Sequence, residues 1–569
     1  VSAEKRLKVV LCWHMHQPQY QDQATREFAL PWTYLHAIKD YVDMVAHLER
    51  VPSARAVVNF APVLLEQIDD YAREIPAHLE HGAPLSDPLL RALAADEPPK
   101  DAATRLRLIR DCIKANETRV IQRFPNYQRL VTIGSWLLEH PESLIYADNQ
   151  FFADLVCWYH LAWMAESVRG TDARVATLTN KGCGFDATDR RQLLQVIGDL
   201  LAGVIGRYRR LAESGQIELS VTPYGHPIVP LLIDLDSARE AMPNAPLPEE
   251  GPYPGGYERA RWHVERALEV FERHFGHRPA GCWPSEGGVS EDSLRLLESF
   301  GLRWSASGES VLRNSLQRSF TDKADEIGCI HRPYRLRGGQ LACFFRDDGL
   351  SDLIGFTYSN WHADDAVSNL LHHLDNIAAA CRDLENNVAT IILDGENAWE
   401  YYPENGYYFL DALYRGLADH PGIELTTFSD YLDGHRIKTE LKHLVAGSWV
   451  YGSFSTWIGE KDKNRGWEML IDAKRAFDQA VADGRLDGER LEAATRQLAI
   501  CEGSDWFWWF GDYNDPGSVA DFERLYRRHL SNLYRILEVE APAYLEHAFT
   551  FGGGTPEVGG TMRRGQEVT

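Results

Sequence analysis

Four β-rich apolar runs in this chain each end in side chains that a protein core does not favour. The run at 7–13 leads into His14-Met15-His16-Gln17-Pro18, and the run at 217–222 into Pro223-Tyr224-Gly225-His226-Pro227. The run beginning at Gly281 leads into Trp283-Pro284-Ser285-Glu286, and that beginning at Ala389 into Asp394-Gly395-Glu396-Asn397. Parallel strands wound with helices into a barrel present their chemistry at their C-terminal ends, so these four ends make one candidate site. Two of them supply a carboxylate, Glu286 and Asp394. Glycoside cleavage needs such a pair. One acid protonates the leaving oxygen; in a retaining enzyme the other attacks the anomeric carbon, with the two groups ~5–5.5 Å apart. Taken singly, a carboxylate at a strand end is as readily a solvated surface group. The flanking Trp283 and Gly287, and the β-branched run before Asp394 with Gly395 after it, favour a built position.

The histidines leave three readings open. His14 and His16 stand two apart on a strand, so their side chains share a face. With His226 they can form a three-histidine metal site, donate hydrogen bonds to sugar hydroxyls, or pack as ordinary neutral rings. His362, His372 and His373 read as structural or solvated. The stretch 451–463, YGSFSTWIGEKDK, has the Gly, Ser and aromatic content of a binding loop, and its Trp457 suits either a sugar face or a packed turn. The stretch 504–509, SDWFWW, reads first as core or interdomain packing, with substrate contact as the second reading.

Positioning these residues requires a strand–helix–strand framework. The first run is apolar throughout, as in a strand buried on both faces. Leu35, Ile38, Val42, Val45 and Leu48 then recur at helical spacing, and a second apolar run follows at 56–60. Residues from about 62 to 175 read as a helical insertion. Strands resume at 217–222, 281–283, 303–307, 341–345 and 388–393, with helices at 259–275 and 290–300 among them. Ser290 can cap the latter helix and Gly301 can close it. Beyond residue 435 the pattern becomes helical, at 467–482, 487–501 and 518–538. The expected organisation is an α/β barrel over 1–435 carrying the insertion, a C-terminal helical domain over 436–550, and a flexible Gly-rich tail over 551–569.

Of the 569 residues, 83 are acidic and 59 basic, and the net charge of −24 repels a phosphate backbone, which excludes nucleic acid as the expected partner. Nine cysteines, none in a C-x-x-C pair, read as buried free thiols in a reducing compartment. The N-terminal apolar stretch is too short for a signal peptide or a membrane span, so a cytoplasmic location and no membrane partner are expected.

Taken in order, the motifs resemble glycoside hydrolase family 57. Five short regions carry the resemblance: His16-Gln17-Pro18; Gly215-Gln216-Ile217-Glu218 leading to His226-Pro227; Trp283-Pro284-Ser285-Glu286; Asp394-Gly395-Glu396-Asn397; and the stretch around Trp457. The segment 346–356, RDDGLSDLIGF, fits the same pattern. The resemblance implies an incomplete (β/α)7 barrel followed by a helical bundle, over 436–550, that closes over the site and contributes to its cleft, and retaining chemistry on α-glucosidic bonds. Glu286 would be the nucleophile and Asp394 the general acid/base, its pKa raised by an ionised Glu286 and by burial. His14, His16, Gln17, His226, Trp283, Glu396 and Trp457 would bind substrate, with no metal and no cofactor. The substrate implied is an α-glucan of starch or glycogen type. Hydrolysis of α-1,4 and α-1,6 bonds, as in an amylase or amylopullulanase, is the first expectation, with 4-α-glucanotransferase and branching activities next. A metal-dependent deacetylase or mannosidase-like barrel and a noncatalytic glucan-binding protein are the readings outside that class.

Overall fold

The computed structural model describes residues 6–318, 330–382, 384, 386–554, 562 and 564. Its centre is a curled, all-parallel sheet. The strands in chain order are β1 (Leu7–Met15), β2 (Ala56–Phe60), β3 (Ile217–Val221), β4 (Gly281–Cys282), β5 (Trp304–Gly308), β6 (Arg335–Leu336), β7 (Ala342–Arg346), β8 (Val388–Asp394), β9 (Ile423–Leu425) and β10 (Glu440–Leu441). The sheet runs β7-β5-β4-β3-β2-β1-β8, while β9 pairs with Leu7–Val9 of β1 and β6 pairs separately with β10. The two ends of the path meet without a strand ladder. Instead the Asp347 N–H donates to the Thr390 carbonyl (2.8 Å) and Arg346 Nε to the Ile392 carbonyl (2.8 Å). The result is the expected incomplete (β/α)7 barrel.

The two-residue period of the strands sets what faces inward. Val10 and Cys12 of β1, Val57 of β2, Trp304 and Ala306 of β5, Phe344 of β7 and Ile392 of β8 fill the barrel interior with Trp283. Continuing the same alternation brings His14, Asn59, Arg346 and Asp394 to the mouth. Register fixes their height, since His14 is level with Asn59 on one side and with Asp394 on the other. Close approach demands glycine at 281, where a Cβ would stand 1.9 Å from the Trp304 ring.

Between β2 and β3 the chain is helical from Pro62–His81 through Ala187–Glu213, so the insertion runs well past the expected residue 175. Its last helix starts with a capping box, in which Asp186 accepts from the Asp189 N–H and Asp189 reaches back to the Asp186 N–H. The expected cap at Ser290 is also present, ahead of Glu291–Ser299. After the barrel, helices Lys461–Ala482, Gly488–Cys501, Ser504–Trp509 and Pro516–Leu537 pack on one another and on the barrel mouth. Val519, Phe522, Leu525, Tyr526, Leu530, Leu533 and Leu537 form the buried stripe of the last helix at three- and four-residue spacing. Among the described residues no helix is long and apolar enough to cross a membrane, and the cysteines are unpaired, all buried except Cys183. Cys329 and most of the expected flexible tail lie outside the described residues.

Candidate active site

The strand ends and the bundle enclose a cavity of about 710 Å3. Glu286 and Asp394 both line it, as do His14, His16, Gln17, His226 and Glu396. Glu286 reaches it by a constrained turn. β4 stops after Cys282, Pro284 is extended, and Glu286 takes φ 56°, ψ 24° in the left-handed region, which is costly for a residue with a Cβ. The Gly287 N–H closes the turn on the Pro284 carbonyl (2.8 Å). A later loop clamps it in place: Val289 and Gly447 exchange backbone hydrogen bonds, and the Trp449 N–H donates to the Glu286 carbonyl (3.1 Å). The Trp449 indole Nε1 also donates to Glu286 Oε2 (3.0 Å).

Asp394 ends β8 half-buried, and its Oδ2 accepts from Asn397 Nδ2 (2.9 Å). Burial pushes its carboxyl above the ordinary carboxylate range, against the opposing pull of the Asn397 N–H and of His16 and Arg346. The sequence reading attributed this rise jointly to Glu286; in the structure burial supplies it. Glu396 is buried two residues on, accepting from Gln17 Nε2 (3.3 Å) and the His16 N–H (3.4 Å). Burial and then the Asp394 charge raise its pKa well above the ordinary carboxylate value.

The histidines form a stack, not a chelate. His16 and His226 are 3.6 Å apart between ring centroids and 10° from parallel. One ion bound to a nitrogen of each would have to lie in both ring planes, which rings stacked face to face do not allow, although His16, His226 and Asp505 are near enough to suggest a metal. Of the ring nitrogens, all but His16 Nδ1, which is buried without a partner among the described residues, are engaged in hydrogen bonds. His14 Nε2 meets His226 Nε2 (3.1 Å), so one of the two carries the proton and the other accepts it. His14 Nδ1 meets Asn59 (2.7 Å), His226 Nδ1 meets the Ser504 hydroxyl (2.8 Å), and His16 Nε2 meets Asp505 Oδ1 (2.8 Å). Burial, then the neighbouring histidines, lowers His14 to about 3 and His226 well below its usual value, leaving both rings neutral near pH 7.

Two expected substrate-site residues, Trp457 and Trp283, are buried and lie outside the cavity lining. Trp457 is fully buried, with its ring against Trp508 (6.0 Å between centroids) and its carbonyl accepting from Trp467 Nε1 (3.0 Å). Trp283 is equally buried and packs edge-on to Trp449 (5.2 Å). The tryptophans that line the cavity are Trp449, Trp508 and Trp509, together with Trp32 and Trp163, whose rings lie 5.7 Å apart between centroids. The helix Ser504–Trp509 divides its residues between two tasks. Trp506 and Phe507 turn into the bundle, while Asp505, Trp508 and Trp509 face the cavity. That i, i+3, i+4 spacing is a one-face signal in the sequence, and it gives the stretch both packing and cavity-facing side chains.

The bundle is seated closely. A Cβ at Gly225, the residue before His226, would stand 2.4 Å from the Ala499 carbonyl oxygen and 2.9 Å from the His263 ring. Gly225→Ala is expected to push the helix Gly488–Cys501 off the barrel, costing about 1–3 kcal/mol and lowering turnover as Ser504 and Asp505 shift. Thermal unfolding and kinetics on the purified variant check this; a wild-type melt with wild-type turnover would rule out such close seating.

Comparison with known proteins gives a consistent picture. The family model for glycosyl hydrolase family 57 matches residues 10–443. A 1,4-alpha-glucan branching enzyme of Thermococcus kodakarensis is 22% identical over 377 residues, which is 53% of this chain and 51% of that protein, so the match spans about half the relative's length. Among solved structures, a branching enzyme of this type from Pyrococcus horikoshii superposes with a TM-score of 0.57 at 16% identity, covering 96% of this chain and 92% of that one. An alpha-amylase of Thermotoga maritima superposes with a TM-score of 0.56 at 12% identity, covering 94% and 93%. At these identities the structural likeness is one of fold.

Proposed function

This chain belongs to glycosyl hydrolase family 57, and from that premise we propose that it is a retaining α-glucan transferase with Glu286 as nucleophile, Asp394 as general acid/base, and a sugar 6-hydroxyl as the preferred acceptor. The observation that carries the reading is the convergence of these two carboxylates, from different strand ends, in one cavity walled by tryptophans. Protonated Asp394 gives its proton to the glycosidic oxygen while a Glu286 oxygen bonds to the anomeric carbon. The C–O bond to the departing chain breaks, and a β-glucosyl-enzyme is left. Asp394, now ionised, takes the proton of the incoming hydroxyl as its oxygen attacks that carbon. Glu286 leaves, and the α configuration returns after two inversions.

The surrounding groups suit a neutral, hydroxyl-rich ligand. Neutral His14 and His226 line the cavity without a charge that a sugar would have to neutralise. The flat faces of Trp508 and Trp509 suit the apolar faces of glucose rings. The same wall supports a sugar, rather than water, as the species that intercepts the intermediate. The choice of the 6-hydroxyl follows the branching enzymes among its relatives.

Incubation with amylose and with maltoheptaose, followed by enzymatic debranching of the products, tests the acceptor. The expected result is chains longer than the substrate, with new α-1,6 branch points. A longer ladder without branch points would make the protein a 4-α-glucanotransferase. Shorter sugars alone would make it a hydrolase.

A further inference from the structure

We propose that Trp449 and Arg346 are positioning residues: the Trp449 indole N–H orients the Glu286 carboxylate for attack, and the Arg346 guanidinium holds that indole in place. The inference rests on the reading of Glu286 as nucleophile.

A carboxylate nucleophile has two oxygens and a freely rotating end. Attack needs one oxygen aimed at the anomeric carbon, and a donor fixed on the other sets that aim. Trp449 Nε1 is such a donor, 3.0 Å from Glu286 Oε2, and indole can only donate. The residue is held at both ends. Its backbone N–H is bound to the Glu286 carbonyl, and its ring sits edge-on to buried Trp283. No bulk is tolerated beneath it, since a Cβ at Gly308 would fall 2.6 Å from the Trp449 Cα.

The guanidinium carbon of Arg346 lies 5.5 Å from the centre of the Trp449 ring. Arg346 itself has little freedom. It is buried at the end of β7, with Nε on the Ile392 carbonyl (2.8 Å), Nη1 on Asp348 (2.6 Å) and Nη2 on Asp352 (2.8 Å). Ile392 belongs to β8, two residues before Asp394. One rigid cation thus ties the strand that carries the general acid to the indole that holds the nucleophile. A side chain present only to neutralise Asp348 and Asp352 would need neither the bond to β8 nor the seat over the ring.

The test is Trp449→Phe, which keeps a ring of similar shape and removes the N–H, with Arg346→Lys as second variant, keeping the charge but not the planar fork. Both are measured beside Glu286→Gln, across pH. Trp449→Phe is expected to lower kcat by about 10–100-fold, the worth of one hydrogen bond to a charged group in a catalytic site, with KM changed less than about 3-fold and the acid limb of kcat/KM moved to higher pH. Arg346→Lys is expected to move the same limb in the same direction. A wild-type kcat and acid limb in Trp449→Phe would overturn the proposal. So would a rise in KM alone, which would make Trp449 a sugar-stacking surface. Retained activity in Glu286→Gln would overturn the nucleophile assignment and this inference with it, whereas an inactive Glu286→Gln beside an unaffected Trp449→Phe would overturn the positioning role alone.

Discussion

Glu286→Gln and Asp394→Asn are each expected to lower turnover of maltoheptaose by about 10³-fold or more while leaving the melting temperature close to that of the wild type. Both changes are nearly isosteric, and both side chains face the cavity, not the core, so the fold has little reason to notice. The two variants should then differ from each other. Asp394→Asn lacks only the proton donor, so a substrate whose leaving group departs unaided, such as maltosyl fluoride, should still glycosylate the enzyme. Glu286→Gln should be dead on both substrates. The pH dependence has a definite sign. Burial raises the pKa of Asp394, and the general acid must be protonated. Activity is therefore lost as pH rises through that raised value, and the basic limb of kcat/KM lies above the ordinary carboxylate range. Asp394→Asn should remove that limb on the fluoride. Wild-type activity in either variant would sink the assignment.

The second large effect is on stability. Glu502, at the end of the helix Gly488–Cys501, is buried against the barrel helix Gly256–Phe275. It accepts from Arg259 Nε and Nη2 (2.8 Å each), from His263 Nε2 (2.7 Å) and from the Tyr253 hydroxyl. His263 Nδ1 in turn accepts from the Gly225 N–H (3.1 Å), next to His226 of the site. Glu502→Gln leaves the Arg259 cation buried without its counter-charge, and the expected cost is about 3–5 kcal/mol. Burial opposes ionisation of Glu502, but Arg259 and His263 outweigh it and hold the pKa down at about 2. A depressed carboxylate stabilises fully above its ordinary pKa and loses that contribution as pH falls through its folded value. The gap between wild type and variant should therefore be widest above about pH 5 and narrow toward pH 2. Urea unfolding across this range measures it. A midpoint shift worth less than about 0.5 kcal/mol at pH 7 would show that the charge cluster does not hold bundle to barrel.

Much of the barrel was legible because its strands are long apolar runs ending in polar residues. The mouth residues followed from the two-residue alternation, which carries Val10 and Cys12 on to His14, and Ile392 on to Asp394. β9 was not legible, since three residues leave no periodicity to read, and β6 and β10 are shorter still. The insertion was placed by absence of strands, which says where it begins more clearly than where it ends. Within the site, Trp449 lines the cavity and Trp457 of the same region is buried beside it. Trp449 stands eight residues earlier, and only the pairing of Val289 with Gly447 brings it over Glu286. The roles of Arg346 and Asp505 were less legible than their positions, because their partners lie more than a hundred residues away in the chain for one and nearly five hundred for the other.

The most direct test of the account is to trap the intermediate. With 5-fluoro-α-glucosyl fluoride, the fluorine at C5 slows breakdown of the glycosyl-enzyme enough for the protein to be digested and its peptides weighed. The account predicts a fluoroglucosyl adduct on the peptide containing Glu286, and none in Glu286→Gln. An adduct on another carboxylate, or a β-configured first product from a natural glucan, would contradict it.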